Sequence, residues 1–364
     1  MARIHPADGA RRAATLAAEP RLEGRRELMA ITTHRPQIEP VPLGIARPLW
    51  SVMIPAFNAN ATLPDTLASI LAQDPGPAAM QIEVVDDCST RDDTQRLIEQ
   101  IGDGRIGFFR QPRNLGVAGN LTQCIRRARG KLVHLLHADD LVEPGFYLSL
   151  GQVFASQPHL GAAFCRHRFI DAQGRTLSLS PLEREESGVL ENAVERLAEE
   201  QRIMTPAMVV RRSVYEEVGG FDARLICAED WEMWVRIAAR YPIWYETQTL
   251  ASYRMHDDTN TGRHLRTGED IRYTGLAIEL FSEHLTADTA RRVVPRARRT
   301  YARAALRTAE MFIGRSDRQG AAAQLREAFR LSRTPDVLAR AASLAWKVAW
   351  PMRWARNQRS TPTR

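Results

Sequence analysis

From Trp50 onward the chain alternates short apolar runs with amphipathic stretches. Residues 51–55, 82–85, 106–109 and 132–136 are short and rich in Val, Ile, Leu and Phe, which predicts four strands. Residues 62–73, 92–101 and 117–129 place apolar side chains at helical spacing, with Leu63, Leu67, Ile70 and Leu71 on one face of the first. Strands and helices in alternation predict βαβ units and a mostly parallel central sheet flanked by helices. Such sheets receive ligands at the carboxyl ends of their strands, and the polar clusters of this chain fall at those ends.

After Pro144 the pattern loosens. Residues 162–170 predict a strand that enters a turn at Asp171–Gly174, and residues 189–201 a helix. Residues 204–210 read as extended, 228–240 as helical and 243–253 as extended again. From about residue 265 the chain is rich in Ala, Arg and Leu and helical throughout. Three regions follow: a disordered leader over 1–47, an α/β domain over 48–262 and a basic helical extension over 263–364. Met29 is an alternative start.

Composition narrows the class. Apolar residues make up 44% of the 364, enough for a substantial core. The four cysteines, Cys88, Cys124, Cys165 and Cys227, form no C-x-x-C pair, which fits a reduced, cytoplasmic compartment. The net charge of +7 is unevenly spread: residues 291–364 carry 18 basic and 4 acidic side chains, whereas 49–290 carry a net −10. The basic charge lies outside the α/β region, so nucleic acid is not the expected partner. No run of 18 apolar residues predicts a membrane span, and no apolar segment near the start predicts a signal peptide.

Four clusters carry candidate chemistry. Asp86 and Asp87 follow the second strand directly, where carboxylates can accept hydrogen bonds from a base or a ribose. Helix capping by Ser89, Thr90 or Asp92 is the competing explanation, and it accounts poorly for two adjacent acids. Asp139 and Asp140 follow the fourth strand, and paired carboxylates suit a hard divalent cation such as Mg²⁺ or Mn²⁺ that bridges to phosphate oxygens. Capping near Pro144 competes there too. Glu229 and Asp230 open a helix, where acids favour the macrodipole or supply a general base for an acceptor hydroxyl. Arg254 and His256, read as exposed, can face a diphosphate or a metal, although a lone histidine is more often structural. Arg113–Gly116 and Gly119–Asn120 open the third helix, whose backbone N–H groups either hold an anion or form a plain turn and cap.

In this order the clusters resemble glycosyltransferase family 2. Ser51-Val-Met-Ile-Pro-Ala-Phe-Asn58 is similar to the family's first strand and Val85-Asp-Asp-Cys-Ser-Thr90 to its nucleotide-binding turn. Arg113-Asn-Leu-Gly-Val-Ala-Gly-Asn120 resembles the segment before its metal strand, and Leu136-His-Ala-Asp-Asp140 its D-x-D-type site. Val218-Gly-Gly-Phe-Asp222 with Glu229-Asp230 resembles its acceptor side.

The resemblance spans residues 49 to 260. It implies a GT-A fold, with a Rossmann-like sheet, and an inverting transfer from a nucleotide-sugar, a UDP-sugar first of all, to a glycan or lipid-linked acceptor. Pro55, Phe57, Asn58, Asp86, Asp87, Arg113, Asn120, His137 and Ala138 would line the donor, with Asp86 on the base. Asp139, Asp140 and His256 would hold Mg²⁺ or Mn²⁺, and Asp230 would deprotonate the acceptor. Three positions depart from the pattern: His137 replaces the first acid of the metal motif, Cys88 a glycine, and Gly119 an arginine.

Two other readings compete. A nucleotidyltransferase needs a glycine-rich, basic phosphate loop after the first strand, where this chain has Ala56-Phe-Asn-Ala-Asn-Ala61. A degenerate carbohydrate-binding or scaffolding module would need neither Asp139 nor Asp230. In the basic tail, Trp346, Trp350 and Trp354 share one helical face beside Lys347, Arg353 and Arg356, and Pro351 interrupts the helix. That face either packs on the catalytic domain or makes peripheral contact with an anionic membrane at its cytoplasmic side.

Overall fold

A computed structural model describes residues 34–255 and 260–349. Its centre is β1 (Trp50–Ala56), which lies between β2 (Met80–Asp86) and β4 (Leu132–Leu135), with β3 (Gly107–Arg110) outside β2. All four strands are parallel. β1 and β2 are covered on both faces, which explains their continuous rather than alternating apolar sequence. The crossovers are α1 (Leu63–Leu71), α2 (Thr94–Ile101) and α3 (Gly116–Arg127). Ala56 lies opposite Asp86, so β1 and β2 end level, while β4 ends earlier, with Leu135 opposite Met53.

The other half of the sheet is mixed. Beyond β4 come β9 (Met208–Arg211), β6 (Ala162–Ile170), β10 (Ile243–Arg254) and β5 (Leu141–Val142). β9 runs antiparallel to both β4 and β6, while β10 runs parallel to β6. β7 (Thr176–Leu179) pairs with β6, and β8 (Gly188–Val189) with β10. The helix expected over 189–201 shortens to α5 (Ala193–Glu199), because Val189 is held in the sheet opposite Trp244. The loosened pattern after Pro144 hides α4 (Phe146–Ser156), which buries Phe146, Tyr147, Leu150, Val153 and Phe154 on one stripe. It also hides α6 (Arg212–Val218).

α7 (Glu229–Ala238) is the hinge between sheet and extension. Its Trp231 is packed by Phe281 and Tyr301, with ring centroids 5.0 Å and 4.9 Å away. Those rings belong to α9 (Glu269–Ser282) and α10 (Ala287–Gly314), which follow α8 (Asn260–Thr267). α11 (Arg318–Leu331) and α12 (Pro335–Ala349) complete the described helices and share a smaller apolar core with α10 around Ala305, Ala328 and Val337. Trp346 on α12 is 66% exposed, while Trp350 and Trp354 lie outside the described residues.

The leader expected over 1–47 is corrected for its described part. Ile38 is buried in the main core. Arg35 joins the sheet domain to the helical extension: Nε donates to Asp222 (2.9 Å), one terminal nitrogen to His284 Nε2 (2.8 Å) and the other to the Leu280 carbonyl (3.3 Å). The same guanidinium lies 3.6 Å from buried Glu232. Burial and then the Arg35 charge hold the His284 pKa down at about 4, which keeps its ring an acceptor. Arg35→Ala leaves Asp222 with Arg224 and Glu232 with Arg236 as remaining cations, but breaks the link to His284 and Leu280, and is expected to cost about 2 kcal/mol. Glu283→Gln touches only the exposed end of the cluster and should stay within about 0.5 kcal/mol of the parent. Thermal unfolding of the two variants side by side checks the contrast.

Candidate active site

The site lies at the carboxyl ends of the parallel strands and faces the start of α7. On the β2 side, Asp86 is fully buried. Its carboxylate accepts from the Ser89 backbone N–H (3.1 Å) and hydroxyl and is paired with Arg110 at 3.1 Å. Asp87 accepts from the N–H groups of Leu115 (2.7 Å) and Gly116 (3.0 Å), so it fastens the start of α3 to the end of β2. Burial raises its pKa, and these two donors oppose the rise. Asn120 is buried beneath, with its amide donating to the Val85 carbonyl at 2.9 Å. Asn58 accepts from the N–H groups of Thr90 and Arg91, both at 2.9 Å. Asp86, Asp87, Asn58 and Asn120 thus build the turn after β2 from within. Phe57 and Arg113 stand exposed at its rim, and Pro55 lies behind at the end of β1.

Three non-glycine residues around the site adopt the left-handed conformation: Asn58 (φ 52), Cys88 (φ 62) and Ala228 (φ 61). For Cys88 and Ala228 that conformation costs about 1 kcal/mol or more, and such strain collects where geometry serves function. At Cys88 a glycine would adopt this backbone without that cost.

The second cluster is the turn after β4. His137, Asp139 and Asp140 each present a ligand atom, all within 4.8 Å of one another. Ala138 is buried, and its carbonyl accepts from Thr62 at 2.8 Å. Asp140 is 1% exposed; one oxygen accepts from the Arg254 N–H at 2.9 Å, and the other has no partner. His137 Nε2 is also buried without a partner. Burial, then the neighbouring charge of Asp139, pushes the Asp140 pKa well up. Two orphaned buried ligand atoms beside a third carboxylate are the arrangement a divalent cation satisfies.

Arg254 corrects the expectation of an exposed, phosphate-facing group. It is 3% exposed, and its guanidinium donates to the carbonyls of Asp139 (2.8 Å) and Ala172 (2.9 Å). It holds the turn's shape rather than reaching outward. His256 lies outside the described residues.

Facing this turn is Asp230, in the first turn of α7. Its carboxylate accepts from Gln201 Nε2 (2.9 and 3.0 Å), the Thr205 hydroxyl (3.2 Å) and the Trp231 N–H (2.7 Å). Burial raises its pKa; the Trp231 N–H and the nearby His137 oppose the rise. His137 therefore stands within electrostatic reach of Asp230, and the strand-end turn and the helix form one site. Sequence reasoning did not assign Gln201, at the end of the helix expected over 189–201, or Thr205, in the run expected to be extended, nor Tyr253. The hydroxyl of Tyr253 feels the charges of Asp140, Asp139, Asp230 and Glu229. Glu229, read only as half of a pair, is 7% exposed with one oxygen unpartnered.

Residues 51–219 match the family profile described as glycosyl transferase family 2. Residues 51–219 of this chain form a glycosyltransferase family 2 domain. It is a glycosyltransferase with a GT-A-type fold. An uncharacterized glycosyltransferase of Methanocaldococcus jannaschii is 25% identical over 217 residues, which cover 59% of this chain and 73% of that protein. The putative teichuronic acid biosynthesis glycosyltransferase TuaG of Bacillus subtilis is 35% identical over 96 residues, 26% of this chain and 37% of that one. Among solved structures, residues 1–349 of S. aureus TarS in complex with UDP-GlcNAc superpose with a TM-score of 0.56 at 17% identity, covering 82% of this chain and 90% of that one. That likeness extends the shared fold well past residue 219.

In this glycosyltransferase, burial and then the Asp230 charge lift the Glu229 pKa from 4.5 to about 8. The folded chain therefore keeps a proton between those values that the unfolded chain has lost, so this group's contribution to stability falls as pH rises across that window. Glu229→Gln removes the dependence. Its melting temperature is expected to change less than the parent's between pH 5 and pH 8, as calorimetric scans in matched buffers would show.

Proposed function

We propose that this glycosyltransferase moves a sugar from a nucleoside-diphosphate sugar, a UDP-sugar first of all, to an acceptor hydroxyl with inversion at the anomeric carbon. The acceptor is a glycan or a lipid-linked intermediate of a bacterial surface polysaccharide or glycoconjugate. The observation that carries this reading is the face-to-face placement of the His137–Asp140 turn and the buried carboxylate of Asp230. A leaving diphosphate and an attacking hydroxyl need these two groups on opposite sides of one reacting carbon. UDP-GlcNAc on the structurally similar TarS and the teichuronic acid biosynthesis in which TuaG is named support the donor and acceptor classes.

The catalytic domain is residues 48–262, with 263–364 as the basic helical extension. Asp86 and Asp87 shape the turn that receives the base and ribose, with Pro55, Phe57, Asn58 and Arg113 around it and Asn120 bracing it from below. His137, Asp139 and Asp140, with His256 two residues beyond Arg254 in the sequence, would hold Mg²⁺ or Mn²⁺. When bound, the ion supplies charge neutralisation to the departing diphosphate. Asp230 takes the proton of the acceptor hydroxyl as that oxygen attacks and the bond to the diphosphate breaks. Its raised pKa makes it a stronger base than a solvated aspartate. Gln201 and Thr205 hold its oxygens in place.

Calorimetric titration with UDP, GDP, dTDP and CMP, with and without Mn²⁺, tests the donor side. One nucleotide should bind in a Mn²⁺-dependent manner, and Asp139→Ala should lose that dependence. Binding without metal would remove the role given to Asp139; no binding at all would leave a scaffolding module. Asp230→Asn should keep nucleotide affinity within twofold and lower turnover at least a hundredfold.

The extension contributes the proposed contact with an anionic membrane at its cytoplasmic face. Among the described residues no helix is long and apolar enough to cross a membrane. Trp346 is exposed on the last described helix, and the sequence beyond it adds basic residues and two more tryptophans. Deletion of residues 350–364 should reduce co-sedimentation with phosphatidylglycerol-containing liposomes; equal sedimentation would end the idea.

A further inference from the structure

β10 passes both halves of the site. Its Ser252 pairs with Leu141 of β5, so Tyr253 comes level with Asp140 at the end of the metal-side turn. Asp140, Asp139, Asp230 and Glu229 all act on its hydroxyl. Two of these acids belong to the turn after β4 and two to the start of α7, so the phenol lies within electrostatic reach of both. The ring is braced from its own sheet. Phe169 stands opposite in register on β6, with centroids 6.0 Å apart at 80°, and His167 lies 5.1 Å beyond Phe169. A ring held this way loses little freedom when a ligand arrives.

Tyr253 is half-buried, and a tyrosine in a polar site normally satisfies its O–H. In the transfer proposed above, the group between the diphosphate side and the proton-accepting side is the sugar that moves.

We infer that Tyr253 contacts the donor's sugar ring, with its hydroxyl donating a hydrogen bond to a sugar oxygen and its ring packing on the sugar's apolar face. The inference rests on the transferase reading and adds a residue that discriminates the sugar rather than the nucleotide. Tyr253→Phe removes the donor atom and keeps the ring.

The test is calorimetry on the full chain with Mn²⁺, using UDP-GlcNAc and UDP-glucose beside UDP, and GDP-mannose beside GDP. For the sugar nucleotide that the parent binds, Tyr253→Phe should weaken affinity about fivefold, the scale of one hydrogen bond. Affinity for the bare nucleotide should stay within twofold. Phe169→Leu, which loosens the ring without touching the hydroxyl, should weaken the same sugar nucleotide by a smaller factor and also spare the bare one. Equal losses on both members of a pair, no loss on either, or a parent that binds nucleotides but no sugar nucleotide would overturn the inference. A parent that binds neither UDP nor GDP would remove the transferase reading itself, and this inference with it.

Discussion

Buried carboxylates held by backbone N–H groups are the constraint on which the site depends. Taking a carboxylate out of water is costly unless donors meet it. Asp87 meets the N–H groups of Leu115 and Gly116, Asp86 that of Ser89, Asp140 that of Arg254 and Asp230 that of Trp231. The bonds to Asp87 and Asp140 tie one chain segment to another, while those to Asp86 and Asp230 close a local turn. The acids therefore fix the loops that form the site, whatever else they contact. Among the described residues, the buried atoms left without a partner include three of the site: His137 Nε2, one oxygen of Asp140 and one of Glu229. Those atoms mark where ligands have something to gain.

The same economy explains how the helical extension belongs to the enzyme. α7 carries Asp230 on its first turn and Trp231 beside it, and Trp231 is enclosed by aromatic rings from α9 and α10. Its indole also donates to the Leu197 carbonyl at 2.6 Å, which joins α5 to the same group. Arg35 adds a polar clamp between the extension and the segment around Asp222 and Glu232. The base of the proposed reaction is thus positioned from both sides, by Gln201 and Thr205 from the sheet domain and by ring packing from the helices.

Much of the fold is legible in local pattern. The first four strands and the helices between them appear where apolar runs and helical stripes place them, because each element there buries a face continuous in sequence. α4 was obscured although its buried stripe is regular, since Gly145 and the turn before it interrupt the pattern. The direction of β9 had no local signature. A four-residue apolar run reads the same whether its neighbours run with it or against it. Arg254 looked like an outward cation and is an inward one, because only the packed sheet reveals that the carbonyls of Asp139 and Ala172 lie within its reach.

By itself the sequence determined the order of elements and the grouping of acids at strand ends, because both follow from spacing along a few consecutive residues. Tertiary structure decided which of those acids are consumed in holding loops and which keep an oxygen free. It also decided that His137 faces Asp230 and that Tyr253 reaches both clusters. These are relations between segments distant in the chain. Their energies depend on burial and on the direction of donors, and neither quantity exists until the sheet and the helices have closed around them.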